Sequence, residues 1–157
     1  MLYEVKKLLE NNEFEKARTT LLKLLEKQPD HPELNFYCAS AHDALGIERE
    51  AIPYYEQALV CQIEGELREA TYVQLGSSYR CIGEYEKAKQ VFKKGIKEFP
   101  TNLALQTFIA LTLYNLEEHS EAVSTLLKVC IHSSDDKWIF KYRTALQYYG
   151  EHLDETW

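Results

Sequence analysis

Histidine and cysteine, the side chains that most often ligate metals or act as nucleophiles, are scattered along this chain of 157 residues. The histidines contain no H-E-x-x-H pattern, which would place two imidazoles on one helical face for a zinc ion. The cysteines contain no C-x-x-C pair and no zinc-like spacing. These residues are His31, His42, His119, His132, His152, Cys38, Cys61, Cys81 and Cys130. The sequence therefore predicts no metal site and no cofactor, and it indicates reduced thiols packed mostly in helices.

Two polar clusters combine histidine with carboxylates, and acid–base chemistry is one reading of them. They comprise Glu117, Glu118, His119 and Glu121, and then His132, Asp135 and Asp136. Because acidic residues favour helix N-termini, we interpret both clusters as helix caps and helix-start acids. The sequence has no glycine-rich phosphate loop after a strand and no nucleophile elbow, so it predicts a protein that is not an enzyme.

The elements that must position these side chains repeat at a nearly fixed interval. Ala17, Ala51, Ala88 and Ala122 lie 34, 37 and 34 residues apart. A period in this range is typical of stacked repeats, since a single helical hairpin cannot bury its own apolar face. The clearest unit, residues 69–102, matches the spacing W-x2-L-G-x2-Y…A-x3-F…P through Tyr72, Leu75, Gly76, Tyr79, Gly83, Tyr85, Ala88, Phe92 and Pro100.

This third unit closely resembles a tetratricopeptide repeat, and the chain resembles the small stand-alone members of that family found in bacteria. The resemblance implies an all-α, right-handed superhelix of about four helical hairpins followed by a C-terminal capping helix. It divides one domain, 1–157, into repeats at 1–31 (truncated), 32–68, 69–102 and 103–136, with the capping helix at 137–153. His42 falls in the slot that Tyr79 fills in the third unit, so we expect a packing histidine with one satisfied nitrogen.

The helix signals give approximate boundaries. The predicted helices cover 2–10, 13–27, 33–45, 49–62, 67–81, 85–98, 103–116, 120–132 and 137–152. Asn12 and Thr101 are predicted N-caps, Gly46 is a predicted helix stop, and residues 133–136 offer cap chemistry for the last helix. The 37-residue interval implies three extra residues, which we place in an extended turn around Gln62–Glu66.

Composition narrows the class of partner. The net charge is −7 and no basic stripe stands out, so nucleic acid is not an expected partner. No apolar run approaches transmembrane length, and the N-terminal residues alternate apolar and charged types instead of forming a signal core. The sequence therefore predicts a cytoplasmic protein without a membrane partner.

The resemblance also implies where a partner binds, because in this family the first helix of each hairpin lines a concave groove that takes an extended peptide or a helix. The corresponding residues are Tyr3, Lys6, Phe36, Tyr37, Ser40, Asp43, Val73, Gln74, Ser77, Arg80, Thr107, Phe108, Leu111, Tyr114, Lys141 and Tyr142. We expect a protein or peptide partner, with affinity from the aromatic residues and orientation from Asp43, Arg80 and Lys141. Replacing Phe36 and Phe108 together by alanine should then abolish capture without unfolding the array.

Known groove chemistry of the family includes a clamp of lysine, asparagine and arginine side chains around a peptide's terminal carboxylate. At the matching positions this chain has Leu2, Lys6, Tyr37, Ala70 and Gln74, and only Lys6 is compatible. Recognition of that kind is therefore not expected. Arg80 and Lys141 either hold an acidic group of a ligand or are ordinary solvated charges.

The last helix is unusually rich in aromatic residues. It carries Trp138, Phe140, Tyr142, Leu146, Tyr148, Tyr149 and Leu153. We interpret it as a cap over the final repeat, since terminal repeats must cover an apolar face. The alternative is a docking surface or a symmetric homodimer, which would make the protein a homo-oligomerising scaffold.

Overall fold

The computed structural model describes residues 1–157 as nine α-helices without any strand. The helices are α1 (Leu2–Glu10), α2 (Phe14–Leu25), α3 (Pro32–Ala44), α4 (Glu48–Val60), α5 (Gly65–Cys81), α6 (Tyr85–Glu98), α7 (Leu103–Asn115), α8 (His119–Ser133) and α9 (Lys137–Glu151). Each helix packs against the next one along the chain. The predicted arrangement of four helical hairpins and a ninth helix is confirmed.

The helices form two layers. In the inner layer, α1, α3, α5 and α7 each contact the inner helix of the neighbouring hairpin. The outer helices α2, α4, α6 and α8 contact only the helices before and after them in the chain. The last helix, α9, contacts α8 and no other helix, so the inner layer ends at α7.

A continuous apolar core runs between the two layers from α3 to α8. Tyr55 and Phe92 are its largest fully buried side chains. The close approach of α5 and α6 depends on Gly76, because a Cβ added there would lie within 2.7 Å of three atoms of the Phe92 ring. A second, smaller cluster around Val5 and Leu21 joins α1 to α2 and α3. The small residues of the repeat are therefore the positions where helix backbones meet.

Two predicted N-caps are wrong by one residue. Asn12 adopts a left-handed conformation with φ 59°, and Glu13 occupies the N-cap position of α2 without a side-chain hydrogen bond. Asn102, not Thr101, caps α7 by accepting a hydrogen bond of 2.9 Å from the Leu105 amide. In both places two neighbouring polar residues compete for the cap, and the backbone path decides between them.

The predicted end signals at Gly46 and at residues 133–136 are confirmed, whereas most other predicted helix bounds differ from the observed ones by one or two residues. Gly46 has φ 73°, a left-handed value that suits glycine just after the end of α3. Asp136 caps α9, and its carboxylate accepts hydrogen bonds of 2.8 and 3.1 Å from the amides of Trp138 and Ile139. Gly46 therefore marks the C-terminal end of α3, and Asp136 marks the start of α9.

The extra residues of the second interval do not form the predicted extended turn. Helix α5 begins at Gly65 and is 17 residues long, whereas α3 and α7 have 13 residues each. The connection from α4 spans only residues 61–64, in which Gln62 has φ 59°. The insertion therefore adds a turn to the start of α5, because helix continues to satisfy backbone groups that an open loop would leave to water.

This added turn supports a charged cluster between α5 and α6. Arg68 donates to the Glu98 carboxylate through Nε at 2.7 Å and through a terminal nitrogen at 2.9 Å. The Tyr72 hydroxyl donates to the same carboxylate at 2.6 Å. The hydrogen bond from Arg68 and, to a smaller extent, the one from Tyr72 lower the pKa of Glu98 from 4.5 to about 2. The cluster thus favours the ionised form of Glu98 in the folded protein.

Glu98→Gln should lower the melting temperature at pH 7, with a difference that shrinks as the solution is acidified. The folded-state pKa of Glu98 lies below its unfolded value, so its stabilisation is complete above about pH 4.5 and is lost by about pH 2. Thermal melts of both proteins between these values measure the effect. Glu155→Gln, which removes an exposed carboxylate near the C-terminus, is the control. A constant difference across this range would contradict the assignment.

None of the nine helices has the length together with the hydrophobicity that crossing a membrane requires.

Candidate partner-binding groove

The inner layer contains a hollow between α5 and α7, which we call the α5–α7 hollow. It has a volume of about 370 Å³ and is lined by Ala70, Val73, Gln74, Ser77 and Phe108. Four of these residues are predicted groove residues, and Ala70 was not predicted to line the groove. The structure therefore brings together four residues from the middle of the predicted groove, namely Val73, Gln74, Ser77 and Phe108.

Helix α7 gives the hollow its aromatic wall. Phe108 is half-buried and stacks on the core residue Phe92, with ring centroids 6.0 Å apart and an interplanar angle of 20°. Thr107 is satisfied locally, because its hydroxyl donates to the Leu103 carbonyl at 2.8 Å. Leu111 lies one turn further along α7 and is exposed. A ligand side chain in the hollow would thus meet a ring that the core already holds in place.

A polar network borders the hollow where α3, α4 and α5 meet. One oxygen of Asp43 accepts a hydrogen bond of 2.8 Å from the Tyr55 hydroxyl. The Ser78 hydroxyl lies 3.0 and 3.1 Å from the two Asp43 oxygens. The Tyr55 oxygen is also 3.1 Å from the side-chain oxygen of Gln74 and 3.5 Å from the Ser40 hydroxyl. The predicted residues Ser40, Asp43 and Gln74 therefore belong to one cluster.

Burial shifts the ionisation of this cluster. Desolvation raises the pKa of Asp43, and the hydrogen bonds from Tyr55 and Ser78 partly offset that effect. Desolvation, followed by the nearby Asp43 charge, raises the pKa of the Tyr55 phenol, which therefore remains a hydrogen-bond donor. Sequence reasoning missed Tyr55 and Ser78. Tyr55 fills the slot that Phe92 fills in the third unit, and the signal was a tyrosine where an apolar ring suffices.

Phe36, predicted to contact a partner, is instead part of the core. It is only 6% exposed and packs edge-on against Tyr55 and against Tyr37, whose ring centroid is 5.2 Å away. The prediction was wrong because the Phe36 ring packs into the core between the two layers, against Tyr55 of α4. The half-buried Tyr37 takes the more accessible place beside it.

At the α1 end of the inner layer, Lys6 is already engaged. Its ammonium lies 3.7 Å from the Glu33 carboxylate and 5.2 Å from the centroid of the Tyr37 ring. Tyr3 is 80% exposed. The one residue compatible with a carboxylate clamp therefore has partners within the chain, and the remaining clamp positions contribute no cation.

At the opposite end of the same layer, Arg80 bridges α5 and α7. Its Nε donates to the Asn115 side-chain oxygen at 2.8 Å. Tyr114 is exposed on α7, with its ring centroid 5.1 Å from that of His119. The predicted residues Arg80 and Tyr114 thus flank the ends of the helices, beyond the α5–α7 hollow.

The structure does not bring Lys141 and Tyr142 to the groove. Both lie on α9, which contacts α8 but not α7. They line a separate hollow of about 680 Å³, formed only by α9 and the C-terminal Trp157. The prediction extended the register of the inner layer by one helix too many, because it treated α9 as another first helix.

Helix α9 itself exposes a large aromatic surface, which we call the α9 surface. Its members are Trp138, Phe140, Tyr142, Tyr148, Tyr149 and Trp157, and each is about half exposed or more. Gly150 is the only buried residue of α9, where its backbone approaches Leu127 of α8. The predicted cap thus covers part of α8 while leaving its own aromatic residues open to solvent.

The remaining chemical candidates have local roles. His42 is buried, and its Nδ1 donates to the Cys38 carbonyl at 2.7 Å while its ring stacks on Tyr54, which confirms the predicted packing histidine. Burial raises the pKa of the Cys38 thiol to about 12, so this thiol is unreactive. All four cysteines are unpaired, and no group of three or more metal-ligating side chains is arranged around a common point.

The helix-start cluster at residues 117–121 supplies an ion pair between hairpins. Glu118 precedes α8, and its two carboxylate oxygens accept hydrogen bonds of 2.7 and 3.0 Å from the Lys89 ammonium of α6. Its side chain makes no capping hydrogen bond. Through Glu118 the cluster therefore joins the two outer helices α6 and α8.

Comparison with known proteins agrees with this architecture. The family model described as a tetratrico peptide repeat matches residues 32–153. No curated protein sequence matches the chain. The crystal structure of YrrB, described as a TPR protein with an unusual peptide-binding site, superposes with a TM-score of 0.74 at 17% identity, over 96% of this chain and 76% of YrrB.

Two further solved structures share the fold. A crystal structure of MamA gives a TM-score of 0.77 at 17% identity, over 94% of this chain and 88% of that protein. The structure of Naa15/Naa10 bound to HypK-THB gives 0.63 at 17% identity, over 96% of this chain but only 23% of the matched chain. At such identities these structures show a common superhelical fold of stacked helical hairpins.

Proposed function

The chain belongs to the tetratricopeptide repeat family, and on that premise we propose that residues 1–157 act as one non-enzymatic adaptor domain that binds a segment of another protein along its inner layer. The observation that carries this proposal is the α5–α7 hollow. Phe108 gives it a rigid aromatic wall, while Gln74 and Ser77 supply hydrogen-bonding groups beside it. Apolar area with a few fixed polar groups is typical of a site that recognises a peptide.

The relatives support a protein partner in general terms only. YrrB is described as having a peptide-binding site, and Naa15/Naa10 is described as bound to HypK-THB. The proposal for this chain therefore rests on its own hollow and polar network. A cytoplasmic location is part of the proposal, and the four unpaired cysteines fit a reducing compartment.

A steric block in the hollow tests the proposed site. A library of random heptapeptides displayed on phage is selected on the wild-type protein, and the enriched peptides are synthesised. Ser77→Tyr should weaken their binding about tenfold or more, because the added ring fills the hollow. Gln90→Tyr, which adds the same ring on the exposed side of α6, should leave the affinity unchanged. Equal binding by both variants would place the site outside the hollow.

Self-association through the α9 surface is the second candidate function. This surface exposes more aromatic side chains side by side than the surface of a monomeric soluble protein usually does. Helix α9 also has three basic residues and one acidic residue, a net charge of +2. Residues 32–68 have seven acidic and two basic residues, a net charge of −5. The α9 surface of one copy is thus complementary in charge to the second repeat of another copy.

Light scattering at several concentrations tests this second candidate. We expect a mass that rises with concentration for the wild-type protein and a constant monomer mass for Phe140→Glu, because a buried unpaired carboxylate disfavours the contact. Gln90→Glu adds the same charge away from α9 and should associate like the wild type. A wild-type protein that remains monomeric throughout would exclude the scaffold function.

A further inference from the structure

Asp43 is a half-buried carboxylate without a cationic partner. The six ion pairs of the structure involve glutamates only, namely Glu13, Glu15, Glu33, Glu84, Glu98 and Glu118. Arg80, the predicted groove cation on the neighbouring α5, gives its Nε hydrogen to Asn115. The hydrogen bonds to Asp43 within the chain therefore come from neutral groups alone, and besides desolvation and these bonds the charge of Glu48 raises its pKa while that of His42 lowers it.

The hydrogen bonds to Asp43 leave part of its accepting capacity unused. Tyr55 and Ser78 each carry a single hydroxyl hydrogen, so together they supply at most two hydrogen bonds. Ser78 also lies 3.0 Å from the Gln74 carbonyl, which competes for its hydrogen. An ionised carboxylate offers about four accepting positions. At least two of those positions are not used by hydrogen bonds within the chain.

If Asp43 only joins α3, α4 and α5, its charge adds a desolvation cost that a neutral residue would avoid. A neutral asparagine oxygen would accept the same hydroxyl hydrogens without a charge to desolvate. Desolvation does raise the pKa of Asp43, which shows that the surroundings disfavour the charge. A role outside the fold explains why this position carries one.

The location of Asp43 connects it with the α5–α7 hollow. Gln74 lines the hollow, and its side-chain oxygen lies 3.1 Å from the oxygen of the Tyr55 hydroxyl, which donates its hydrogen to Asp43. The carboxylate is thus linked to a residue that lines the hollow through the buried Tyr55 hydroxyl. The surrounding repeat, residues 32–68, has a net charge of −5, which favours an incoming cation.

We propose that Asp43 binds a lysine or arginine side chain of the partner segment, whose neighbouring apolar side chain occupies the hollow beside Val73 and Phe108. The inference rests on the proposed function and assigns its partner a chemistry, a basic segment with an adjacent apolar anchor. The partner's cation supplies hydrogen-bond donors to the open positions of the carboxylate and neutralises its charge in a partly desolvated place.

Parallel selections test the inference. The phage library of random heptapeptides is selected on the wild-type protein, on Asp43→Asn and on Asp135→Asn, which removes one exposed carboxylate between α8 and α9. Peptides enriched by the wild type and by Asp135→Asn should contain lysine or arginine beside an apolar residue. Asp43→Asn should lose that preference while still enriching apolar peptides.

A synthetic peptide from the wild-type selection then measures how much the basic residue contributes to the binding affinity. Changing its basic residue to glutamine should weaken binding to the wild-type protein about ten- to a hundredfold, the range of a charge-assisted hydrogen bond. The same change should have little effect on binding to Asp43→Asn. This peptide comparison on the wild-type protein remains decisive even if Asp43→Asn folds poorly.

The outcomes separate the inference from the function beneath it. Wild-type peptides without a basic residue, or an Asp43→Asn variant that keeps the basic preference, would overturn the inference and leave groove binding intact. Failure of the wild-type protein to enrich any peptide would overturn both. Enrichment of acidic peptides would assign the orienting role to Arg80 instead and contradict the role of Asp43.

Discussion

Phe92→Ala is expected to lower the free energy of unfolding by about 3–5 kcal/mol, the usual cost of removing a buried aromatic ring. Phe92 is completely buried, and its ring lies between Gly76 of α5 and Phe108 of α7. Its loss leaves a cavity where two hairpins meet. Urea unfolding followed by circular dichroism measures the change. Phe140→Ala, on a side chain that is 66% exposed, should change stability little.

The same ring makes the effect of a substitution at Gly76 depend on residue 92. In the wild-type background, Gly76→Ala should destabilise the protein by about 1–3 kcal/mol, since the new Cβ meets a ring without room to move. In the Phe92→Ala background, the same change should stabilise it by about 1 kcal/mol, the helix preference of alanine over glycine. A double-mutant cycle compares the two values, and equal effects in both backgrounds would contradict the described packing.

Phe36→Ala is expected to have the second large effect, and this effect should be a loss of stability of the fold. We expect a loss of about 3–5 kcal/mol, because the ring is 6% exposed and packs against Tyr37 and Tyr55. The denaturant midpoint of the purified variant measures this loss. A midpoint like that of the wild type would mean that Phe36 lies outside the core.

Phe108→Ala provides the contrast. This ring is half-buried at the wall of the hollow, so its removal should weaken binding of the selected peptides more than it weakens the fold. The double replacement of Phe36 and Phe108, expected from the sequence alone to spare the fold, would therefore combine two different effects. The single variants separate them.

Much of the architecture could be predicted because the repeat has a strict register. Helices α5 and α6 follow from Tyr72, Leu75 and Gly76 of the third unit and from Ala88, which lies 12 residues after Gly76. The predicted bounds of α6 are the observed ones, Tyr85–Glu98. Each position in this register is constrained by the packing of two helices. Helix ends are less constrained, so the caps at residues 12 and 101 were displaced by one residue.

The candidate site was predicted only in part, because it depends on contacts between units. Val73, Gln74, Ser77 and Phe108 follow from the register and meet in the α5–α7 hollow. The bond from Tyr55 to Asp43 depends on how α3 and α4 rotate against each other, which no spacing in one unit encodes. Nor does any spacing encode that α9 lies on α8, which removed Lys141 and Tyr142 from the site.

The end of the inner layer at α7 has a consequence for the kind of polypeptide that fits. With α9 placed against α8 alone, no helix stands beside α7 to close off that side, and no ring of cations marks a place for a chain terminus. If a partner segment binds along the inner layer as proposed, this open side leaves room for the segment to continue past α7. We therefore expect peptides with additional residues on both flanks to bind no more weakly than the short peptides selected on the protein.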